Sequence, residues 1–160
     1  MKKRMCSLTA LLLVLLCVSG ALAEQKVQLP ESRYSLKVPD GMEYDGPGDL
    51  PDDAVFALVS EKLGLDIQFF RQTNDAGKTL QEMTDTIIGL GVDAEIHRIS
   101  GIDMIAYRDQ DPADPPEKGM KCVAYVFLEE NAAHMICFWY TTQEAANLTA
   151  EIISSITDKD

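Results

Sequence analysis

The densest cluster of groups able to do chemistry is acidic: Asp109-Gln110-Asp111-Pro112-Ala113-Asp114-Pro115-Pro116-Glu117. Hard cations such as calcium gather several oxygens from one loop, so Asp109, Asp111, Asp114 and Glu117 are the candidate ligands of a weak calcium site. The stretch lacks the turn glycine and the twelfth-position glutamate of an EF-hand, and its prolines stiffen the backbone. The expectation is a solvated, proline-rigid loop with no bound metal. The two histidines, His97 and His134, have no further ligands at zinc-site spacing and read as structural. Cys122 and Cys137 stand in neither a Cys-x-x-Cys nor a metal spacing. A Cys–His nucleophilic pair needs hydrogen-bond reach, and strand alternation turns His134 away from both cysteines. No Gly-x-Ser-x-Gly, phosphate loop or dinucleotide glycine pattern occurs, and paired carboxylates are expected by chance among 26 acids. The residues therefore point to no enzyme and no cofactor.

Charge narrows the partners. The 160 residues carry 14 Lys+Arg against 26 Asp+Glu, a net charge of -12. Such a field repels phosphate backbones and anionic lipid head groups, which argues against nucleic-acid binding and attachment to acidic membranes. The first 23 residues have the three parts of a secretory signal. Lys2-Lys3-Arg4 is the positive start, Leu8 to Val18 is apolar apart from Thr9, and Ala21-Leu22-Ala23 offers small residues before a cleavage at Glu24. The apolar run is too short to span a bilayer, and Leu16 is too bulky to precede a lipidated Cys17. Cleavage leaves 11 basic against 26 acidic residues, a net charge of -15, in a chain with no membrane span and an extracytoplasmic destination, secreted or in the cell envelope. Cys122 and Cys137 remain, in a compartment where disulfides persist.

The elements that must position these groups follow from local patterns. Residues 24–32 read as a short polar leader and 33–157 as one globular domain. Arg33–Val38 alternates and ends at the Pro39-Asp40-Gly41 turn; Met42-Glu43-Tyr44 reads as its short partner strand. Asp45–Asp53 is loop. Ala54–Val59 and Leu65–Arg71 form a strand pair about the Glu61–Gly64 turn. Thr79 and Glu82 have capping-box spacing before a helix with Leu80, Met83, Ile87 and Ile88 on one face, ended by Gly89 or Gly91. Strands follow at Ala94–Ile99, Ile102–Arg108, Met120–Glu129 and Ala132–Thr141. Thr141 and Glu144 repeat the capping-box spacing before a last helix whose stripe is Ala145, Leu148, Ile152 and Ile156.

The last hairpin sets the architecture. A two-residue loop at Glu130-Asn131 places Glu129 opposite Ala132. Cys122, Ala124, Val126 and Leu128 then share a face with Ala133, Met135, Cys137 and Trp139. The other face carries Val123, Tyr125 and Phe127 beside Ile136, Phe138 and Tyr140. Both faces are apolar, so both require cover. Two helices are available, which predicts an α+β chain: an α/β/α sandwich with a largely antiparallel sheet and one helix on each face. In this register Cys122 faces Trp139 and is diagonal to Cys137, roughly 7–8 Å away and beyond usual disulfide reach. A shifted register would put them opposite, so buried thiols and a structural disulfide both stay open.

The order of elements and the wording Tyr34-Ser35-Leu36-Lys37-Val38-Pro39-Asp40-Gly41, Thr79-Leu80-Gln81-Glu82 and Ile152-Ile153-Ser154-Ser155-Ile156 resemble the PsbP-like, or Mog-type, fold family over nearly all of residues 33–157. The resemblance implies non-enzymatic roles: extrinsic photosystem II subunits, a Ran-binding nuclear factor, and a branch of secreted bacterial proteins. The signal segment fits the last. No binding motif of the family maps onto residues here. The functional expectation is a secreted, non-catalytic binding or accessory domain working on a protein partner. The alternative is a small-ligand or peptide binder with a cleft between helix and sheet.

Overall fold

The computed structural model describes residues 23–44, 54–108 and 119–158. Nearly all of the signal segment, and the calcium candidates Asp109, Asp111, Asp114 and Glu117, lie outside the described residues. In chain order the elements are β1 (Glu24–Gln28), β2 (Tyr34–Pro39), β3 (Glu43–Tyr44), β4 (Ala54–Ser60), β5 (Leu65–Thr73), α1 (Leu80–Gly89), β6 (Ala94–Ile99), β7 (Ile102–Tyr107), β8 (Lys121–Glu129), β9 (Ala132–Tyr140), α2 (Gln143–Ser154) and β10 (Thr157–Asp158). They build an α+β fold with a seven-stranded sheet, β3-β4-β5-β9-β8-β7-β6, and a three-stranded sheet, β1-β2-β10. Neighbouring strands run antiparallel in both.

The β8–β9 hairpin has the expected register, with Glu129 opposite Ala132 and Cys122 opposite Trp139. Its tight turn puts Glu130 at φ +51°, the left-handed conformation that two-residue hairpin loops demand. β9 lies between β5 and β8, and Ile136 and Phe138 are wholly buried. On their side, Phe69, Phe127 and Met104 join Leu36 and Val38 of β2 and Ala145, Ile152, Ile153 and Ile156 of α2 in the main core. Leu80, Met83 and Ile87 of α1 instead pack with Ala94, Ile105, Val126 and Met135. A third cluster holds Cys122, Ala124 and Cys137 beside Phe70, Tyr107 and Trp139. The two cysteines are diagonal neighbours, both buried and not joined by a disulfide.

Four expectations need correction. Residues 24–32 are not a leader: Glu24–Gln28 is β1, paired along its length with β2. Its sequence is polar because it is an edge strand whose side chains alternate between half-buried and exposed, and its order comes from backbone pairing with β2. Glu43-Tyr44 pairs with β4, not with the strand before it. The plain α/β/α sandwich is amended because the β1-β2-β10 sheet shares with α2 the main core against β5, β8 and β9. The last helix is capped one residue later than its spacing suggested. Thr142 Oγ1 accepts from Ala145 N at 3.1 Å, while Thr141 N donates to Gly64 O at 3.2 Å and so finishes the strand. α1 has the expected capping box: Glu82 N donates to Thr79 Oγ1 at 3.2 Å and Thr79 N to Glu82 Oε2 at 2.8 Å. That backbone donation, with the Thr79 hydroxyl, holds the Glu82 carboxyl below its ordinary range.

The corrected cap gives an expected outcome. Thr142→Ala lowers the unfolding free energy by about 1 kcal/mol, whereas Thr141→Ala, which keeps its backbone bond to Gly64, lowers it by less. Urea unfolding of both variants measures the difference, and the reverse order would restore Thr141 as the cap.

Candidate functional site

A cleft of about 610 Å³ opens where α2 passes the edge of the small sheet and the β4–β5 turn. Its apolar lining is Pro39, Leu63, Ala145, Leu148 and Ile152. Its polar lining includes Glu24, Lys37, Glu61, Lys62, Thr142, Glu144, Asn147 and Glu151. Lys37 Nζ lies 3.5 Å from Glu24 Oε2. With that pair neutral, Glu61, Glu144 and Glu151 outnumber Lys62, so the rim is acidic.

Backbone geometry shapes two walls. Gly64 N donates to Glu61 O at 3.1 Å, and Gly64 sits at φ +60°, where a side chain is strained. A Cβ there would meet Thr141 Oγ1 at 2.6 Å, so glycine lets the turn close on the end of β9. At the far end Lys37 N donates to Ser155 Oγ at 2.8 Å, and Ser155 Oγ donates to Ile152 O at 2.6 Å. This stitches the C-terminus of α2 to β2.

A second polar constellation is buried. The His134 ring is 1% exposed and stacks between Phe127, at 5.1 Å and 12°, and Phe69, at 5.6 Å and 24°. Its Nε2 lies 3.5 Å from Glu129 Oε2. Glu129 in turn accepts from Ser32 Oγ at 2.6 Å and from Arg33 N at 2.8 Å, and so ties the β1–β2 connection to the β8–β9 hairpin. Arg71, opposite His134 on β5, reaches Glu31 at 3.1 Å. Burial pushes the His134 pKa below its ordinary value of 6.5; Glu129 opposes this, Arg71 adds to it and Glu31 opposes it. His134 Nδ1 and Arg71 Nε have no hydrogen-bond partner among the described residues. The neutral imidazole suits a slot between two phenyl rings, and the carboxylate is held by donors from another sheet. The arrangement clasps the β1–β2 connection to the β8–β9 hairpin.

The sequence-selected residues are thus dispersed. His97 is exposed on β6, 3.5 Å from Glu95, far from any cysteine in the strand order. His134 points to the opposite face from Cys137, as alternation required. Among the described residues no group of three His, Cys, Asp or Glu side chains could hold a metal ion, and no helix is long and apolar enough to cross a membrane. The sequence offers a cleft between helix and sheet as the alternative but names none of its residues, and it carries no sign of the Glu129 clasp. Ser32 and Glu129 are 97 residues apart, and no local pattern marks that meeting.

No family model matches the sequence, and no curated protein sequence matches it. Solved structures do match its fold. The solution structure of cyanobacterial PsbP (CyanoP) from Synechocystis superposes with a TM-score of 0.59 at 12% identity, covering 87% of this chain and 94% of that one. The chain has the PsbP-like fold. A Bacteroides thetaiotaomicron crystal structure also matches, with a TM-score of 0.58 at 12% identity, over 85% of this chain and 48% of the other. The yeast Ran-binding protein Mog1p matches more loosely, with a TM-score of 0.49 at 12% identity over 88% of this chain and 97% of that one.

Two outcomes follow from the geometry. The folded state prefers neutral His134, so lowering the pH through 6.5 protonates the unfolded chain first. Stability therefore falls between about pH 7 and pH 5, above the range where most carboxylates titrate, and His134→Leu flattens that slope. Urea unfolding across the window measures it, and a stability that rises on acidification contradicts the assignment. Separately, Gly64→Ala destabilises by about 1–2 kcal/mol from its backbone conformation alone, and by more if Thr141 cannot yield. A thermal unfolding midpoint unchanged by Gly64→Ala would show that the turn relaxes freely.

Proposed function

We propose that the protein is an exported, non-catalytic binding domain of the secreted bacterial branch of PsbP-like proteins, acting on a protein partner. Its cleft between α2 and the small sheet takes an extended segment of that partner. The observation that carries this reading is the cleft itself: about 610 Å³, within the size range of ligand sites, with a strip of five apolar residues in a lining that is otherwise polar and charged. The acidic rim favours a segment with apolar residues flanked by Lys or Arg, and the net charge of -15 left after cleavage attracts such a segment. The charged start and apolar run of residues 1–23 support the extracytoplasmic destination. In this reading α1 and α2 serve opposite faces of the large sheet. Support comes from alternation, since Ile105 and Val126 pack with α1 while Met104 and Phe127 share a core with α2. The cleft then belongs wholly to the α2 side.

The same volume would hold a small apolar molecule, and one experiment separates the two occupants. A displayed library of extended peptides and a panel of small apolar ligands are titrated while the amide signals of Leu63, Thr142 and Leu148 are followed by NMR. The expected result is shifts from basic–apolar peptides, abolished by Asn147→Trp, which fills the cleft from an exposed position. Shifts from the small molecules alone would move the reading to a ligand carrier. No shifts with either, or turnover in an esterase and peptidase screen, would overturn it.

A further inference from the structure

β6 closes one end of the seven-stranded sheet, and among the described residues it pairs only with β7. Its six residues run without proline or bulge, in unbroken register against β7 from Ala94 to Ile99. Four of them, Glu95, Ile96, His97 and Arg98, are exposed. An edge of this kind presents a row of N–H and C=O groups ready to pair with another strand, and natural edges are usually blunted by lysines, prolines or bulges. Ile96 instead places a 40% exposed β-branched side chain at the centre of the strand.

From this edge we infer that β6 pairs antiparallel with β6 of a second copy of the chain, extending one sheet across both. A two-fold axis normal to the sheet keeps each face continuous, so opposed residues must come from the same face and the axis must pass beside a single residue. Four central choices exist. An axis at Glu95 opposes Glu95 to itself, one at His97 opposes His97 to itself, and one at Arg98 opposes Arg98 to itself. An axis at Ile96 sets Ile96 against Ile96 of the second copy, Glu95 against its His97, and Arg98 against its small Ala94. This register opposes no like charges, sets Glu95 beside the His97 imidazole on both sides of the axis, joins apolar to apolar and leaves room for the arginine, which already reaches Asp103 at 3.7 Å. The occupant is therefore a second copy, selected by the strand's own self-complementarity. A single six-residue edge is a small interface, and the net charge of -12 opposes approach, so the dimer is weak.

Sedimentation of the purified protein tests this. The expected result is an average mass that rises towards the dimer over roughly 10 μM to 1 mM. Ile96→Lys, which opposes two like charges on the axis, returns the monomer. His97→Glu, which sets Glu95 against a carboxylate, weakens association by about tenfold. The double change Glu95→Lys with His97→Glu restores it, and thermal unfolding of each variant verifies that it is folded. A protein monomeric throughout the range overturns the inference, as does a dimer indifferent to Ile96→Lys or a double change no better than His97→Glu alone.

Discussion

The structure depends on one strand being apolar on both sides. β9 sits between β5 and β8 and buries Ile136 and Phe138 completely on one face and Cys137 almost completely on the other. Each such side chain contributes stability only when water is removed from its own face. A strand of this kind cannot lie at the surface of a one-layer sheet, so material must be recruited to both sides. The chain recruits it from its two ends: β1 and β2 come from the start, α2 and β10 from the finish, and β10 adds to β2 so that the ends close on one another. The middle helix, α1, packs against β6 and β7.

What the sequence shows of this arrangement is what local physics controls. The Glu130-Asn131 loop fixes its own register because a two-residue turn admits only one pairing of the flanking strands, and alternation then assigns every side chain of β8 and β9 to a face. The α1 cap is legible because its two hydrogen bonds span three residues. Elements whose order comes from distant partners are not legible. Glu24–Gln28 is a strand because β2 lies beside it; its residues alone give no apolar face. Thr157-Asp158 is too short to announce itself, and Tyr44 pairs with Leu58, fourteen residues later. The misplaced cap has the same origin: spacing favours Thr141, which has Glu144 three residues on, but Thr141 is held by Gly64, nearly eighty residues earlier, and Thr142 caps the helix.

The Glu129 clasp shows how a polar group is tolerated in such a core. A carboxylate and an imidazole are poor filling for a slot beside Phe69 and Phe127, and burial disfavours the charged form of the imidazole. The carboxylate is retained with two donors from the β1–β2 connection, and the imidazole stays neutral. An apolar pair at these positions would fill the space equally well. It would not specify how the small sheet sits on the large one, because apolar contact is non-directional while the donors of Ser32 and Arg33 fit one placement.

That placement also determines the cleft. One wall is β1–β2, one is α2, and one is the β4–β5 turn; each is anchored separately to the same central strand or to its cover. Thr141 at the end of β9 holds Gly64, Thr142 starts α2 immediately afterwards, and Ser155 at the end of α2 holds β2. The cleft is the space left where three attachments to one hydrophobic body do not quite meet. Its apolar side chains are continuous with the core, and its charged rim lies where the three elements turn outward. A fold shared at 12% identity with CyanoP preserves the body, which packing dictates, and leaves this rim free to vary. In the binding role proposed above, the chemistry of recognition rests on Glu61, Glu144, Glu151 and Lys62, because the scaffold fixes where they stand and not what they bind.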